Sequence, residues 1–286
     1  MAPSLSEQIQ TFYDASSGLW EQIWGEHMHH GYYGPQGRYR LDRRQAQIDL
    51  IDRCLAWAQV TAADRILDCG CGIGGSALAL ASRFQAKVVG ITLSPVQAQR
   101  ARDRAKAANL EGDHPPCAEF QIADALHTPF GDQSFDLIWS MESGEHMPDK
   151  AVFLQECYRL LKPGGKLLMA TWCHRPTDSL AGPLTPVEQR RLDQIYRVYR
   201  LPYVIALPDY RDIAQDCGFT SVKTADWSQA VAPFWDDVIA SAFSLEAVVG
   251  LLQAGPATLQ GALALGTMAQ GLSSGLIRYG LLQGIR

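Results

Sequence analysis

The sequence predicts an α/β fold: a mostly parallel sheet with helices on both faces, an N-terminal helical segment and a helical insert towards the C-terminus. Two observations carry this. Between residues 65 and 172, short apolar runs alternate with segments of helical period, which is how parallel strands and their crossover helices read. The first run, Arg65–Cys69, also opens directly onto a glycine-rich turn and a helix, Gly70-Cys-Gly-Ile-Gly-Gly75 onward. That arrangement belongs at the carboxyl edge of a parallel sheet.

Taken in order, Leu5–Ser16 has helical spacing, and an aromatic and histidine-rich stretch follows from Trp20 to Tyr33. A second helix, Asp42–Ala58, places Ile48, Ile51, Leu55 and Ala58 on one face. Strands are expected at Arg65–Cys69, Lys87–Ile91, Phe120–Ala123, Phe135–Met141 and Lys166–Trp172, with helices at Gly75–Arg83, Pro95–Ala108 and Lys150–Leu160 between them. Lys162-Pro-Gly-Gly165 stops a helix and turns into the next strand. Proline-rich turns then surround a helix at Pro186–Tyr199. Asp209–Cys217 reads as a helix closed by Gly218, and Ser221–Trp227 as a strand. Pro233–Ser274 reads as mainly helical and Leu276–Gln283 as a last strand. No internal repeat is present. The whole is expected to be one domain in three parts: residues 1–60, 61–173 and 174–286.

Composition narrows the function. The 286 residues are 47% hydrophobic and 19% charged, enough for a large core, and the net charge is −5. A nucleic-acid partner is disfavoured, because the basic run Arg38-Tyr-Arg-Leu-Asp-Arg-Arg44 is local and interrupted. The seven cysteines are odd in number, scattered and without a CxxC pair, which argues against both a disulfide framework and a zinc site. His27, His29 and His30 have no Cys or carboxylate partners at ligand spacing, so no metal is expected. No basic region followed by an apolar run marks a secretory leader, and a reducing, cytoplasmic compartment is expected.

The glycine turn presents free backbone N–H groups and a positive helix end, a site for a nucleotide-like ligand. Gly70, Gly72 and Gly74 fit one nucleotide-binding spacing, and Gly70, Gly72 and Gly75 fit the dinucleotide spacing. The dinucleotide reading fails downstream. It needs an acid about 20 residues on to hold the ribose, and no carboxylate occurs between Asp68 and Asp103. Asp68 itself precedes the turn, placed to orient it or to meet a cationic ligand, and Asp124 closes the third strand, where an adenine amino group can donate to it.

These features resemble the class I S-adenosylmethionine-dependent methyltransferases, through Leu67-Asp-Cys-Gly-Cys-Gly-Ile-Gly-Gly75, Gly90-Ile-Thr-Leu-Ser-Pro-Val-Gln97, Asp124-Ala125 and Leu161-Lys-Pro-Gly-Gly165. Many members carry an acid where this chain has Thr92. Here the pattern is similar to the branch with cyclopropane synthases and sterol methyltransferases, which transfers the ribose contacts to Thr92 and Gln97. Beyond the core, Phe12-Tyr-Asp-Ala-Ser-Ser-Gly-Leu-Trp-Glu21, Trp24-Gly-Glu-His-Met-His-His-Gly-Tyr-Tyr-Gly-Pro35 and Ser140-Met-Glu-Ser-Gly-Glu-His-Met147 resemble gamma-tocopherol methyltransferases, as do Ala170-Thr-Trp-Cys-His-Arg175, Leu201-Pro-Tyr203, Ala225-Asp-Trp227 and Ala232-Pro-Phe-Trp235. Plant N-methyltransferases of indole alkaloids share much of this pattern.

The resemblance implies a Rossmann-like sheet whose last strand is antiparallel, an N-terminal helical lid, and S-adenosylmethionine as methyl donor. It places Ala125 and Ser140 at the donor with the residues named above, and Tyr13, His30 and Tyr32, with Trp20 and Trp24, in a lid over it. Aromatic faces attract a sulfonium by roughly 0.5–2 kcal/mol. The implied reaction is methylation of a ring carbon beside a phenol hydroxyl, on gamma- or delta-tocopherol. An ordinary phenol has a pKa near 10, so a base that draws off its proton activates the ring. Glu142, Glu145 and His146, where the fourth strand ends, are the candidates, and positioning alone is the alternative to base catalysis.

The expected partner is a small lipophilic phenol. Between Asp237 and Arg278 the only charged residue is Glu246, and Val238, Ile239, Phe243, Val248, Val249, Leu251 and Leu252 supply apolar surface. A helical cap lining the tail pocket and touching a membrane interface is one reading of this segment, and a packing insert is the other. Tyr196, Tyr199, Leu201, Tyr203 and Ile205 are expected to line the ring pocket.

Overall fold

A computed structural model describes residues 5–242 and 266–286. Helix α1 (Leu5–Trp24) and α2 (Arg43–Trp57) precede β1 (Arg65–Cys69), α3 (Gly75–Phe84), β2 (Lys87–Thr92), α4 (Pro95–Ala107), β3 (Cys117–Ile122) and β4 (Phe135–Met141). Then come α5 (Lys150–Leu160), β5 (Leu161–His174), α6 (Pro186–Tyr199), α7 (Leu207–Asp216), β6 (Thr220–Asp226), α8 (Ser228–Val231), α9 (Pro233–Ala242) and β7 (Ile277–Ile285). The strands form one sheet in the order β3-β2-β1-β4-β5-β7-β6. Strands β1 to β5 pair in parallel, and β7 runs antiparallel between β5 and β6. The expected antiparallel last strand is present, inside the sheet rather than at its edge.

Central strands β1 and β2 are buried along nearly their whole length, which is why they read as continuous apolar runs. Two apolar cores follow, one on each sheet face. One gathers Leu50, Leu55, Ile66, Leu80, Val88 and Trp139, the other Leu67, Val89, Ile138, Phe153 and Leu154. Helix starts are fixed by side-chain caps: Asp42 accepts from Gln45 N–H, Ser94 from Gln97 N–H, and Asp149 from Ala151 and Val152 N–H. Thr185 and Glu188 form a reciprocal capping box at α6. Each cap contributes about 1 kcal/mol.

Three boundaries differ from expectation. Helix α1 continues past Ser16 to Trp24, and within it Ser17 Oγ donates back to the Tyr13 carbonyl (2.5 Å), so the buried hydroxyl is satisfied inside the helix. Strand β3 begins at Cys117, where pairing with Lys87 already continues the sheet. Strand β5 includes the Lys-Pro-Gly-Gly turn as a bulge, since Phe135 pairs with Leu161 but Leu137 with Lys166.

A strap from Gly25 to Leu41 joins α1 to α2 and packs under α8 and α9. Tyr33 N–H donates to the Ala230 carbonyl and Tyr33 OH to Asp237 (2.8 Å each). Asp14 meets Ser94 and Glu21 pairs with Arg100, tying α1 to the start and flank of α4. Among the described residues no helix is long and apolar enough to cross a membrane. The expected cap residues Phe243, Val248, Val249, Leu251 and Leu252 lie outside the described residues, as do the side chains of Trp20, Trp24 and Ile239.

Candidate active site

Parallel pairing brings the carboxyl ends of four strands to one edge: Asp68 is the last residue but one of β1, Thr92 ends β2, Asp124 follows β3 and Glu142 follows β4. Strand order reverses between β1 and β4, the switch point where open α/β sheets bind ligands. A cavity of about 1420 Å³, its open mouth included, lies there. Its roof comes from α1 and the strap through Phe12, Tyr13, Met28 and His29, and its far wall from Trp172 and Tyr199.

At the glycine turn, Gly70 has φ +78°, and a Cβ there would overlap the Ser143 side chain. Gly72 has φ +54° and an open side, with only Met28 Sδ, 3.9 Å away, near its Cβ position. Both are conformations that favour glycine. Asp68 is buried. The Ala77 N–H holds its carboxylate, while Oδ2 has no partner. Burial pushes Asp68 up to about 7, against that hydrogen bond. Thr92 Oγ1 donates to Gln97 Oε1 (2.8 Å) and accepts from Ser94 N–H (3.2 Å), so the two expected ribose contacts stand side by side in the cavity wall. Asp124 accepts from Leu126 N–H (2.9 Å), with Ala125 next to it in the lining.

The other half of the cavity holds the candidate bases. His146 Nε2 lies 2.8 Å from Tyr13 OH, and its Nδ1 is buried without a partner. Burial lowers His146 to about 3, assisted by the Lys150 charge, so the ring is neutral. Glu145 is buried and accepts from Thr171 Oγ1 (2.8 Å). Burial, then the Glu142 charge, raises it to about 8. Lys150 shapes this turn from beneath, donating to the carbonyls of Gly144 (3.0 Å), Glu145 (2.9 Å) and Met147 (2.7 Å).

Glu142 borders the cavity but is differently placed. Its backbone is left-handed (φ +53°), and its carboxylate turns into the strap. Oε1 accepts from His30 N–H (2.7 Å) and Tyr279 OH (2.9 Å), and Oε2 lies 2.8 Å from His30 Nδ1. Burial raises Glu142, but the His30 charge and hydrogen bonds outweigh it and hold the carboxyl below its ordinary value. With both oxygens engaged, Glu142 is a pin between β4, β7 and the strap.

Four expected site residues fall outside the cavity lining. His30 faces Trp172, Phe234, Trp235 and Tyr279 in the core. Tyr32 packs against Trp227 beneath Arg53. Gly74 faces Phe120 and Ala101, letting α3 approach β3. Ser140 bonds Ser143, which reaches the Cys69 carbonyl, and so braces the loop from behind. Of the expected ring-pocket residues, Tyr199 lines the cavity; Tyr196 OH instead accepts from Val204 N–H, and Tyr203 lies under the Lys150 ammonium at the surface. His29 and Trp172 line the cavity without having been singled out for it. His29 belongs to a run of three histidines, and only the course of the strap decides which ring turns inward.

The glycine cradle, the partnerless Asp68 oxygen, the Thr92–Gln97 pair and Asp124 together suit a donor with a cationic end, a ribose and an adenine. Fold and site define a class I S-adenosylmethionine-dependent methyltransferase. Comparison with known proteins agrees: residues 67–169 match the family described as "Methyltransferase domain". The chain is 45% identical over 288 residues to tocopherol O-methyltransferase, chloroplastic, from Arabidopsis thaliana, covering 98% of this chain and 82% of that protein. It is 35% identical over 243 residues to 2-methyl-6-phytyl-1,4-hydroquinone methyltransferase from Synechocystis sp., covering 82% of this chain and 73% of that one. Among solved structures, the [4+2]-cyclase SpnF superposes with a TM-score of 0.80 at 25% identity, covering 100% of this chain and 97% of that chain. The chain belongs to the tocopherol methyltransferase family.

Proposed function

We propose that the enzyme methylates the ring carbon beside the hydroxyl of gamma-tocopherol, and of delta-tocopherol, giving alpha- and beta-tocopherol. The observation that carries this reading is the 45% identity over nearly the whole chain to a tocopherol methyltransferase. The cavity supports it: beside Glu145 and His146 it is walled by Phe12, Met141, Met147, Trp172 and Tyr199, which suit an aromatic acceptor. In this reading residues 1–60 form the lid, 61–173 the donor-binding core and 174–286 the acceptor side.

Bound S-adenosylmethionine supplies an electrophilic methyl group. Asp68, Gly70 and Gly72 hold the donor's amino-acid end, Thr92 and Gln97 its ribose, and Asp124 with Ala125 its adenine. Tyr13 closes the roof and excludes water. His146, neutral and tethered to Tyr13, orients the acceptor's hydroxyl. Glu145, with proton affinity close to working pH, takes the hydroxyl proton, which raises electron density in the ring. Once the ring carbon has taken the methyl group and S-adenosylhomocysteine is left, that carbon loses its hydrogen as a proton and the oxygen regains its own from Glu145, restoring the aromatic phenol. Of the three candidates, Glu142 is thus assigned to scaffold and Glu145 to proton transfer.

The Arabidopsis relative is named as an O-methyltransferase, and methylation of oxygen or nitrogen on another amphipathic acceptor, such as a quinol or an alkaloid, is the alternative. Rates with radiolabelled donor and a panel of gamma-tocopherol, delta-tocopherol, a prenylated hydroquinone and an indole amine separate these. The two tocopherols are expected to be preferred. A higher kcat/KM for the amine or the hydroquinone would displace them.

A further inference from the structure

We propose that His29 binds the α-ammonium group of the methyl donor, together with Asp68. The strap segment that carries His29 lies over the glycine turn. The Glu26 carbonyl and the His27 ring come within 2.5 and 2.8 Å of the Cβ position of Gly75, the first residue of α3, and Met28 Sδ stands over Gly72. His29 is therefore held at the end of the cavity where the donor's amino-acid part meets the turn.

Its tautomer follows from its partner. His29 Nδ1 lies 2.8 Å from the His30 carbonyl oxygen. A carbonyl oxygen only accepts, so Nδ1 carries the hydrogen and Nε2 presents a bare lone pair. That Nε2 is buried and has no partner, in a side chain that is 4% exposed and lines the cavity. Burial lowers the His29 pKa, against the Glu142 charge and the His30 carbonyl, which keeps the ring a neutral acceptor. A buried acceptor without a donor is destabilising, a cost relieved when a ligand supplies the N–H.

Asp68 Oδ2 is a second buried acceptor without a partner in the same cavity. Two unfilled acceptors call for a group with several N–H donors and positive charge. A carboxylate would meet lone pairs, and a sulfonium has no hydrogen to give. The ammonium of the donor's amino-acid end satisfies both. This assignment rests on the donor alone and stands whichever acceptor is methylated.

Calorimetry with two donor fragments tests it. S-adenosylhomocysteine carries the ammonium, and its deamino analogue, 5′-deoxy-5′-(3-carboxypropylthio)adenosine, keeps the nucleoside, sulfur and carboxylate without it. His29→Phe is expected to weaken S-adenosylhomocysteine about 10- to 100-fold, the size of a hydrogen bond to a charged group. The deamino analogue should bind the variant within about twofold of the parent, and His29→Gln, which offers an oxygen at similar reach, should recover part of the loss. The Gln variant carries the test alone if the Phe variant does not fold. Equal weakening of both ligands would make His29 a packing residue and overturn the assignment, as would unchanged binding of both.

Discussion

Glu142→Gln is expected to destabilise the folded protein by about 3–5 kcal/mol, the usual cost of leaving a buried charge-paired network incomplete. Glu142 is the acceptor for the His30 backbone N–H, faces His30 Nδ1 and accepts from Tyr279 OH, all at 2.7–2.9 Å. Its side chain is 5% exposed and that of His30 fully buried. A glutamine keeps one acceptor oxygen and turns an NH2 towards groups that already donate. Thermal denaturation should show a fall in Tm on the order of 10 °C, with turnover of the remaining folded enzyme retained. The pH dependence has a definite sign. Because folding holds the Glu142 carboxyl below its ordinary 4.5, its contribution is fully present above that pH and is lost as pH falls through the depressed value. Unchanged Tm with abolished turnover would return Glu142 to the role of base.

Glu145→Gln should do the opposite, sparing the fold and donor affinity while lowering kcat by about 10²–10⁴. Glu145 lines the cavity, is raised to about 8 and accepts from Thr171, a contact the amide oxygen of glutamine can keep. As a base it must be ionised, so the parent rate should rise with pH up to about 8 and level off above it. The variant should lose that rising limb. Stability runs the other way: folding raises this carboxyl, so its contribution is present at low pH and is lost as pH climbs from 4.5 through about 8. A variant that keeps both the rate and the limb would leave methyl transfer to alignment alone.

The fold was legible where local chemistry punctuates the chain. Helix α5 runs from Lys150 to Leu160 as expected, because Asp149 caps it and the Lys162-Pro-Gly-Gly turn follows; α6 is framed in the same way by Thr185-Pro186 and Arg200. Strand β3 was the least legible, since an edge strand with Glu119 and Gln121 on one side lacks a continuous apolar run. In the site, residues that end strands were readable because a strand's end fixes their place: Asp68, Thr92 and Asp124 all reach the cavity. What was hidden was pairing across distance. His30 and Glu142, 112 positions apart, each have the residue type a ligand site needs, and the His30 N–H and Nδ1 are both turned to the Glu142 carboxylate. Tyr32 and Ser140 likewise carry suggestive motifs but turn into the core and the loop base.

Whether this enzyme builds a carbon–carbon or a carbon–oxygen bond is decided by where the new methyl group resides. Gamma-tocopherol incubated with enzyme and S-adenosylmethionine labelled with carbon-13 in its methyl group, followed by NMR of the product, gives that position. The expected result is an aryl-methyl signal on the ring carbon next to a free hydroxyl. A methoxy signal, with that ring carbon still bearing its hydrogen, would contradict carbon methylation and make the enzyme an O-methyltransferase of the same phenol.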